Sequence, residues 1–365
     1  MYRNPFELDK YIRNKIKNEY KKYYVFIDEI QLVNSIQNPY VPNGDKITFI
    51  DVVMGLMKIK NVDLYITGSN SKMLSTDILT QFRDRSDEIR VYPLSFKEFY
   101  SVYTKDKRFA FEEYCIYGGL PFITTLNEHK DKSDYLLNLF TNTYLKYVIE
   151  RNNIRKDLSI LEDLMNIVAY SIGSLTNPAR IANTLLSEKK INISQATISS
   201  YLEYFSQAFL ISSAKRYDVK GRKYIGSPLK YYFTDLGLRN AKLNFRQIEF
   251  THIMENIIYN ELLIRGFNVD VGVVEYNYKK DEKSIKTNLE IDFVVNNGNT
   301  RYYIQSALSL PTYEKVVQET KPLTNVNDYF KKIVVVKDNI IARYDDKGIY
   351  YVGIEEFLLN KKILD

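Results

Sequence analysis

Residues Tyr24-Val25-Phe26-Ile27-Asp28-Glu29 set four apolar or aromatic side chains ahead of two adjacent carboxylates, with Ile30-Gln31 following. Such a run reads as a buried strand that delivers acid to a sheet edge. From that edge a first carboxylate, Asp28, can ligate the Mg2+ of a nucleotide, and a second, Glu29, can orient the water that attacks phosphorus. A second strand, Val62-Asp63-Leu64-Tyr65-Ile66, runs into Thr67-Gly68-Ser69-Asn70-Ser71. Its small hydroxyl and amide groups would sit at a neighbouring edge, where a polar side chain can touch the attacking water or the terminal phosphate. Arg83 and Arg85 follow in Gln81-Phe82-Arg83-Asp84-Arg85-Ser86-Asp87-Glu88. Arginines placed there can stabilise charge on a neighbouring subunit's nucleotide, or simply pair with Asp84, Asp87 or Glu88.

A strand of this Walker B type normally works with a glycine-rich loop, GxxxxGK[ST], whose backbone N–H groups and lysine hold the phosphates. The 365 residues contain no Gly-Lys dipeptide, and the first glycine, Gly44, already lies beyond Asp28. The expectation is a chain without its own phosphate loop: either the C-terminal part of a nucleotide hydrolase or a relative that does not hold nucleotide in that way.

The elements that would carry these groups alternate helix and strand. Helical spacing at Tyr11 to Ile16 precedes the Asp28 strand. Phe49 to Ile59 reads as an amphipathic helix before the Thr67 strand, so residues 1–100 fit part of a parallel α/β sheet. Residues 101–157 read as a helical lid broken at Gly118-Gly119-Leu120-Pro121. Residues 158–240 offer three helices, Leu158 to Ile172, Pro178 to Leu186 capped by Asn177, and Ser194 to Phe209. A basic hairpin follows, Leu210 to Arg216 and Leu229 to Phe233 around Lys220-Gly221-Arg222. That is the winged helix-turn-helix pattern. Its candidate DNA contacts are Ser194, Gln195, Thr197, Ser199 and Ser200 on the recognition helix and Lys215, Arg216, Lys220, Arg222 and Lys223 on the wing. Three helices that merely pack, or serve a protein interface, would look the same.

Composition bounds the rest. At 365 residues, with 45% hydrophobic and 26% charged content, the chain reads as a folded protein of two to four domains. One cysteine, Cys115, and two histidines leave no cysteine-cluster or His-rich metal site. No apolar run approaches membrane-spanning length and Met1-Tyr2-Arg3-Asn4-Pro5 lacks a signal-peptide core, so a cytoplasmic location without membrane partners is expected. The net charge of +6, with a pI near 8.9, suits nucleic acid without requiring it.

Four segments in order, Asp28-Glu29-Ile30-Gln31, Tyr65 through Ser75, Tyr92-Pro93-Leu94-Ser95-Phe96-Lys97-Glu98-Phe99 and Tyr117-Gly118-Gly119-Leu120-Pro121, resemble the prokaryotic AAA-type ATPases that carry a C-terminal DUF4143 domain. The resemblance covers almost the whole chain. It implies an ATPase core, a lid, a winged helix and a nuclease-like domain over residues 241–365. It makes Asp28 the Mg2+ ligand, Glu29 the water-orienting acid, Ser69 or Asn70 the sensor, Arg85 the finger, and Thr67 and Ser69 nucleotide contacts. The chain departs from the family in the missing phosphate loop and in Asp84, where relatives usually have glycine. In the last domain, Glu255, Asp292 and Gln305 resemble the restriction-endonuclease constellation of a helical acid, a strand Asp and E-x-K. Here E-x-K has become Gln305-Ser306-Ala307, so a lysine from elsewhere, with Lys321 nearest, would be needed for cleavage. The expected cofactors are ATP and Mg2+, and the expected partners are DNA and either further copies of the chain or a protein supplying the phosphate loop. A pseudo-ATPase scaffold that binds DNA or protein, and a metal-dependent nuclease, are the alternatives.

Overall fold

The computed structural model describes residues 2–41, 44–68, 86–154, 158–246, 248–280 and 283–364. Ser69, Asn70, Arg83 and Arg85 lie outside the described residues. The chain forms two compact units, Met1–Arg90 with Gln207–Phe209, and Val91–Ser206 with Leu210–Asp365.

In the first unit, helix α1 (Pro5–Lys15) starts where the Asn4 side chain accepts from the N–H groups of Phe6 and Glu7 and proline occupies the first turn. Strand β1 (Tyr23–Ile27) follows, then the short antiparallel pair β2 (Ile36–Gln37) and β3 (Lys46–Ile47). Helix α2 (Phe49–Leu56) is opened by a Thr48/Asp51 capping box, and β4 (Val62–Ile66) closes the series. Strands β1 and β4 pair in parallel from Tyr23↔Val62 to Ile27↔Ile66. Leu8 and Ile12 of α1 and Val52 and Leu56 of α2 pack with Val25, Ile27, Leu64 and Ile66 on one face of this pair. The opposite face carries Tyr24, Phe26 and Tyr65, with Phe26 73% exposed and stacked on Tyr65 at 5.0 Å. The apolar run before Asp28 is thus half-buried rather than fully buried: among the described residues, the two helices cover one side of the sheet.

The second unit begins with α3 (Phe96–Val102), α4 (Ala110–Tyr117), α5 (His129–Leu139) and α6 (Lys146–Arg151), then α7 (Leu158–Tyr170), α8 (Pro178–Lys189) and α9 (Gln195–Gln207). After α9 come β5 (Ile211–Asp218), β6 (Lys223–Phe233), α10 (Leu236–Lys242) and α11 (Phe250–Ile264). The remaining elements are β7 (Asn268–Lys280), β8 (Lys283–Asn297), β9 (Thr300–Ala307), α12 (Tyr313–Thr324), β10 (Lys331–Val336), β11 (Arg343–Tyr344), β12 (Ile349–Gly353) and α13 (Ile354–Leu359). An eight-stranded sheet runs β11-β12-β10-β9-β8-β7-β5-β6. The β5–β6 hairpin belongs to this sheet, with β5 lying parallel to β7 from Arg216↔Val271 to Asp218↔Val273. The hairpin expected behind the three helices is therefore continuous with the C-terminal strands, and a division at residues 240/241 falls between parts of one sheet.

The Tyr117-Gly118-Gly119-Leu120-Pro121 segment has a structural explanation. Buried Asp235 caps α10 and accepts from Gly119 N at 2.8 Å and Leu238 N at 3.2 Å. Leu94 N donates to Gly119 O at 2.7 Å, and a Cβ on Gly119 would stand 2.2 Å from Leu94 O. Glycine is required there because the two backbone segments touch.

Candidate functional site

The first candidate is the edge where β1 and β4 end. Thr67 N–H donates to Ile27 O at 2.9 Å and Ile30 N–H to Thr67 O at 3.2 Å, so pairing continues past both strands. This brings the Thr67 hydroxyl to the Asp28 carboxylate, to which it donates, and Glu29 N–H donates to the same hydroxyl oxygen at 3.3 Å. Glu29 sits in the left-handed region at φ +48°, an uncommon backbone for glutamate that turns the chain sharply beside Asp28. Asp28 is exposed and Glu29 half-buried. The edge therefore presents a carboxylate and a hydroxyl, with a second acid adjoining in sequence, all hard oxygen donors of the kind Mg2+ accepts. Asp28, Glu29 and Thr67 are the expected groups that the structure brings together. Among the described residues no glycine-rich cradle accompanies them.

The second candidate is α9 with the β5–β6 turn. Ser194 caps α9, accepting from Thr197 N at 3.1 Å, and its hydroxyl lies 2.9 Å from the Thr197 hydroxyl. Ser199 and Ser200 donate back to the carbonyls of Gln195 and Ala196. Ser194 and Gln195 are exposed and Thr197 half-buried. On the hairpin, Lys215, Lys220, Arg222 and Lys223 are exposed and Arg216 is half-buried. Lys220 Nζ donates to Glu275 O at 2.7 Å, and Lys215 Nζ lies 5.9 Å from the Tyr224 ring centre. The flank of α9 and the root of β6 line a groove of about 460 Å3, with Ser199 and Glu203 facing Gly226 and Ser227.

The third candidate is the acidic cluster of the C-terminal sheet. Glu255 of α11 and Asp292 of β8 do come together, and Gln305 Oε1 accepts Asp292 N–H at 3.4 Å. At their centre stands Lys230 of β6, its Nζ 2.8 Å from Glu255 Oε1, 2.8 Å from Glu290 Oε1 and 3.6 Å from Asp292 Oδ1. Tyr232 donates to Glu255 Oε1 at 2.6 Å and Ser306 N–H to Asp292 Oδ2 at 2.8 Å. Burial, and then the Glu255 charge, push the Asp292 carboxyl well above the usual carboxylate range. Burial by itself would lower the Lys230 ammonium, but Glu255, Asp292 and Glu290 outweigh it and hold it firmly charged. Lys321, expected as the nearest lysine, instead lies 4.3 Å from the ring centre of Tyr276. Glu255, Asp292 and Gln305, taken as remnants of a metal site, surround an ammonium group. Among the described residues no group of three or more His, Cys, Asp or Glu side chains is placed to hold a metal ion.

Sequence reasoning missed Lys230, Glu290 and Tyr232. Signals for the first two were present. Lys230 is the lone cation in Leu229-Lys230-Tyr231-Tyr232-Phe233, a run that must bury it, and Glu290 shares a strand face with Asp292 by the two-residue period.

Residues 2–100 match the model of AAA_14, an AAA domain, and residues 108–249 match DUF8612, a domain of unknown function, where the motif resemblance implied a DUF4143 domain. An uncharacterized protein of Haemophilus influenzae is 34% identical over 358 residues, covering 97% of this chain and 82% of that protein. The uncharacterized protein MJ1544 of Methanocaldococcus jannaschii is 30% identical over 351 residues, covering 91% and 71%. Among solved structures, the Walker-type ATPase PABY2304 of Pyrococcus abyssi covers 65% of each chain with 13% identity and a TM-score of 0.39. Protein VC1899 of Vibrio cholerae covers 97% of this chain and 76% of its own at 11% identity and a TM-score of 0.22. Among the described residues no helix is long and apolar enough to cross a membrane. The chain belongs to the family of the Haemophilus influenzae protein and MJ1544, with an AAA domain in its N-terminal part.

Proposed function

We propose that the chain is an ATPase-family protein whose first unit supplies the magnesium half of a nucleotide site and whose second unit contacts DNA. The observation that carries the first part is the hydrogen bond from Thr67 to Asp28 at the common edge of two parallel strands. Asp28 and Thr67 would hold Mg2+ of a bound nucleotide and Glu29 would orient water, the division of roles phosphoryl transfer needs. The residues fit the metal and not the phosphates. The phosphates would be held through that Mg2+ and by groups outside the described residues, and no hydrolytic step is assigned to this chain by itself. Ser69, Asn70 and Arg85 keep the sensor and finger roles only by resemblance.

The DNA reading rests on exposed Lys215, Lys220, Arg222 and Lys223 beside a helix that starts with Ser194, Gln195 and Thr197. A cation row on a strand turn neutralises phosphates, and a capped helix start offers N–H groups and hydroxyls to them. A second reading, a pseudo-ATPase scaffold, is favoured by one observation. The bare aromatic face of Tyr24, Phe26 and Tyr65 is what a protein-binding surface looks like. The nuclease reading is disfavoured by the ammonium inside the acidic cluster. Titration with a fluorescent ATP analogue, with and without Mg2+, separates the first two. Saturable Mg2+-dependent binding that Asp28→Ala removes supports the nucleotide site, and its absence leaves the scaffold.

A further inference from the structure

We propose that the ammonium of Lys230 is the resident cation of the Glu255, Glu290 and Asp292 cluster, closing it to divalent metal and fastening the β5–β6 hairpin to α11 and β8. Lys230 is 2% exposed, and its Nζ makes its ion pairs with carboxylates from a helix and from a neighbouring region of the sheet. Glu255 is enclosed as well as bonded. Oε1 takes Lys230 and Tyr232, while Oε2 faces Gly173, where an added Cβ would stand 3.1 Å from it. Gly173, in the turn after α7, also donates its N–H to Tyr231 O at 3.1 Å, so the turn beside Glu255 is pinned to the strand that carries Lys230. Asp292 Oδ2 is likewise taken by Ser306 N–H, and the Asp292 N–H by Gln305.

A divalent ion needs several oxygens drawn in to about 2.0–2.6 Å, with water completing its shell. The carboxylates here are spaced around nitrogen contacts of 2.8 Å, and the centre is filled by a group that the chain itself carries. The cluster also holds more negative than positive charge. The upward push on Asp292 eases that excess by favouring its neutral form. An ammonium on a strand differs from a metal in one consequential way, since it cannot leave without moving β6. The cluster thus couples hairpin position to the core of the C-terminal sheet and needs no ion from solution. Lys230 offers a bound cation where the expected E-x-K lysine is absent, and it does so from the edge strand β6 rather than from β9.

The test is the thermal unfolding midpoint of the full chain, followed by far-UV circular dichroism in EDTA and in millimolar Mn2+. With Asp28→Ala removing the metal ligand proposed for the first unit and Lys230 in place, the midpoint is expected to be the same in both, and the Lys230 variants are compared in that background. Lys230→Met should lower it in EDTA by about 6 °C or more, since it leaves buried carboxylates without their cation. Mn2+ should then recover a large part of the loss, and Lys230→Met combined with Asp292→Asn should show no recovery. Stabilisation by Mn2+ that persists in Asp28→Ala with Lys230 in place would overturn the proposal, because metal would then enter beside Lys230 as in a metal-activated nuclease. A folded Lys230→Met chain indifferent to Mn2+ would overturn it equally. Should that variant not fold, acetylation of the native chain read by mass spectrometry decides. Lys230 is expected to resist while exposed Lys223 reacts, and labelling of both at equal rates would refute the buried pair.

Discussion

Replacing Asp235 tests the junction that holds the second unit together. Its carboxylate is buried, accepts from Gly119 N and Leu238 N, and also meets the N–H groups of Gly237 and Leu120. Alanine would leave these donors unpaired in the interior. Each hydrogen bond to a charged acceptor is worth about 1.5–3 kcal/mol, and the helix cap about 1 kcal/mol. Burial outweighs these bonds in setting the protonation state and leaves the carboxyl up at about 6, so ionised Asp235 is about 3 kcal/mol less favoured relative to its protonated form in the folded chain than in the unfolded one. Leaving these buried donors unpaired predicts a loss of roughly 3 kcal/mol or more for Asp235→Ala and a smaller loss for Asp235→Asn, which keeps one acceptor and carries no charge. The pH dependence has a definite sign. With the folded value above the unfolded one, folding takes up a proton, so this contribution is complete below about pH 4 and is lost as pH rises through 6. The native chain should therefore gain about 1 kcal/mol more than Asp235→Asn between pH 7 and pH 5. Urea unfolding followed by circular dichroism suits a chain with no tryptophan. Asp235→Ala within about 0.5 kcal/mol of native, or identical pH profiles for native and Asp235→Asn, would refute the reasoning.

Other outcomes follow from the same contacts. Gly119→Ala and Gly237→Ala place Cβ atoms 2.2 Å from Leu94 O and 2.1 Å from Tyr117 O. Each should destabilise by about 2 kcal/mol or more, and midpoints equal to native would count against the tight approach. Changing Lys215, Lys220, Arg222 and Lys223 together to alanine should flatten the dependence of DNA affinity on salt by roughly three to four units of slope. An unchanged slope would remove the hairpin from the interface. Thr67→Val should weaken Mg2+-dependent nucleotide binding without unfolding the first unit, since Thr67 lies at an exposed edge; binding at native strength would show that its bond to Asp28 is incidental.

Much of the first unit was legible because its signals are local. The helical spacing at Tyr11 to Ile16 and Phe49 to Ile59, the apolar run before Asp28 and the run before Thr67 each mark an element, and β1 and β4 pair in parallel as their alternation with helices implies. The half-exposure of β1 was not legible, since Tyr24 and Phe26 look as apolar as the inward Val25 and Ile27. In the second unit the strands of the hairpin were visible but not their partner. Pairing β5 with β7 joins residues that sequence places more than fifty positions apart, and no local pattern announces it. The same distance hid Lys230, whose buried charge could have been inferred from its apolar neighbours while its acceptors could not. Lys321 seemed nearer by position along the chain, yet α12 turns it toward Tyr276.

The central claim is that Asp28 and Thr67 form the magnesium half of a nucleotide site. Its most direct measurement is binding of a fluorescent ATP analogue to the full chain over a Mg2+ series, native beside Asp28→Ala. Saturable binding that strengthens with Mg2+ and loses that dependence in Asp28→Ala is expected. Binding that ignores both Mg2+ and Asp28, or no binding at all, would contradict it.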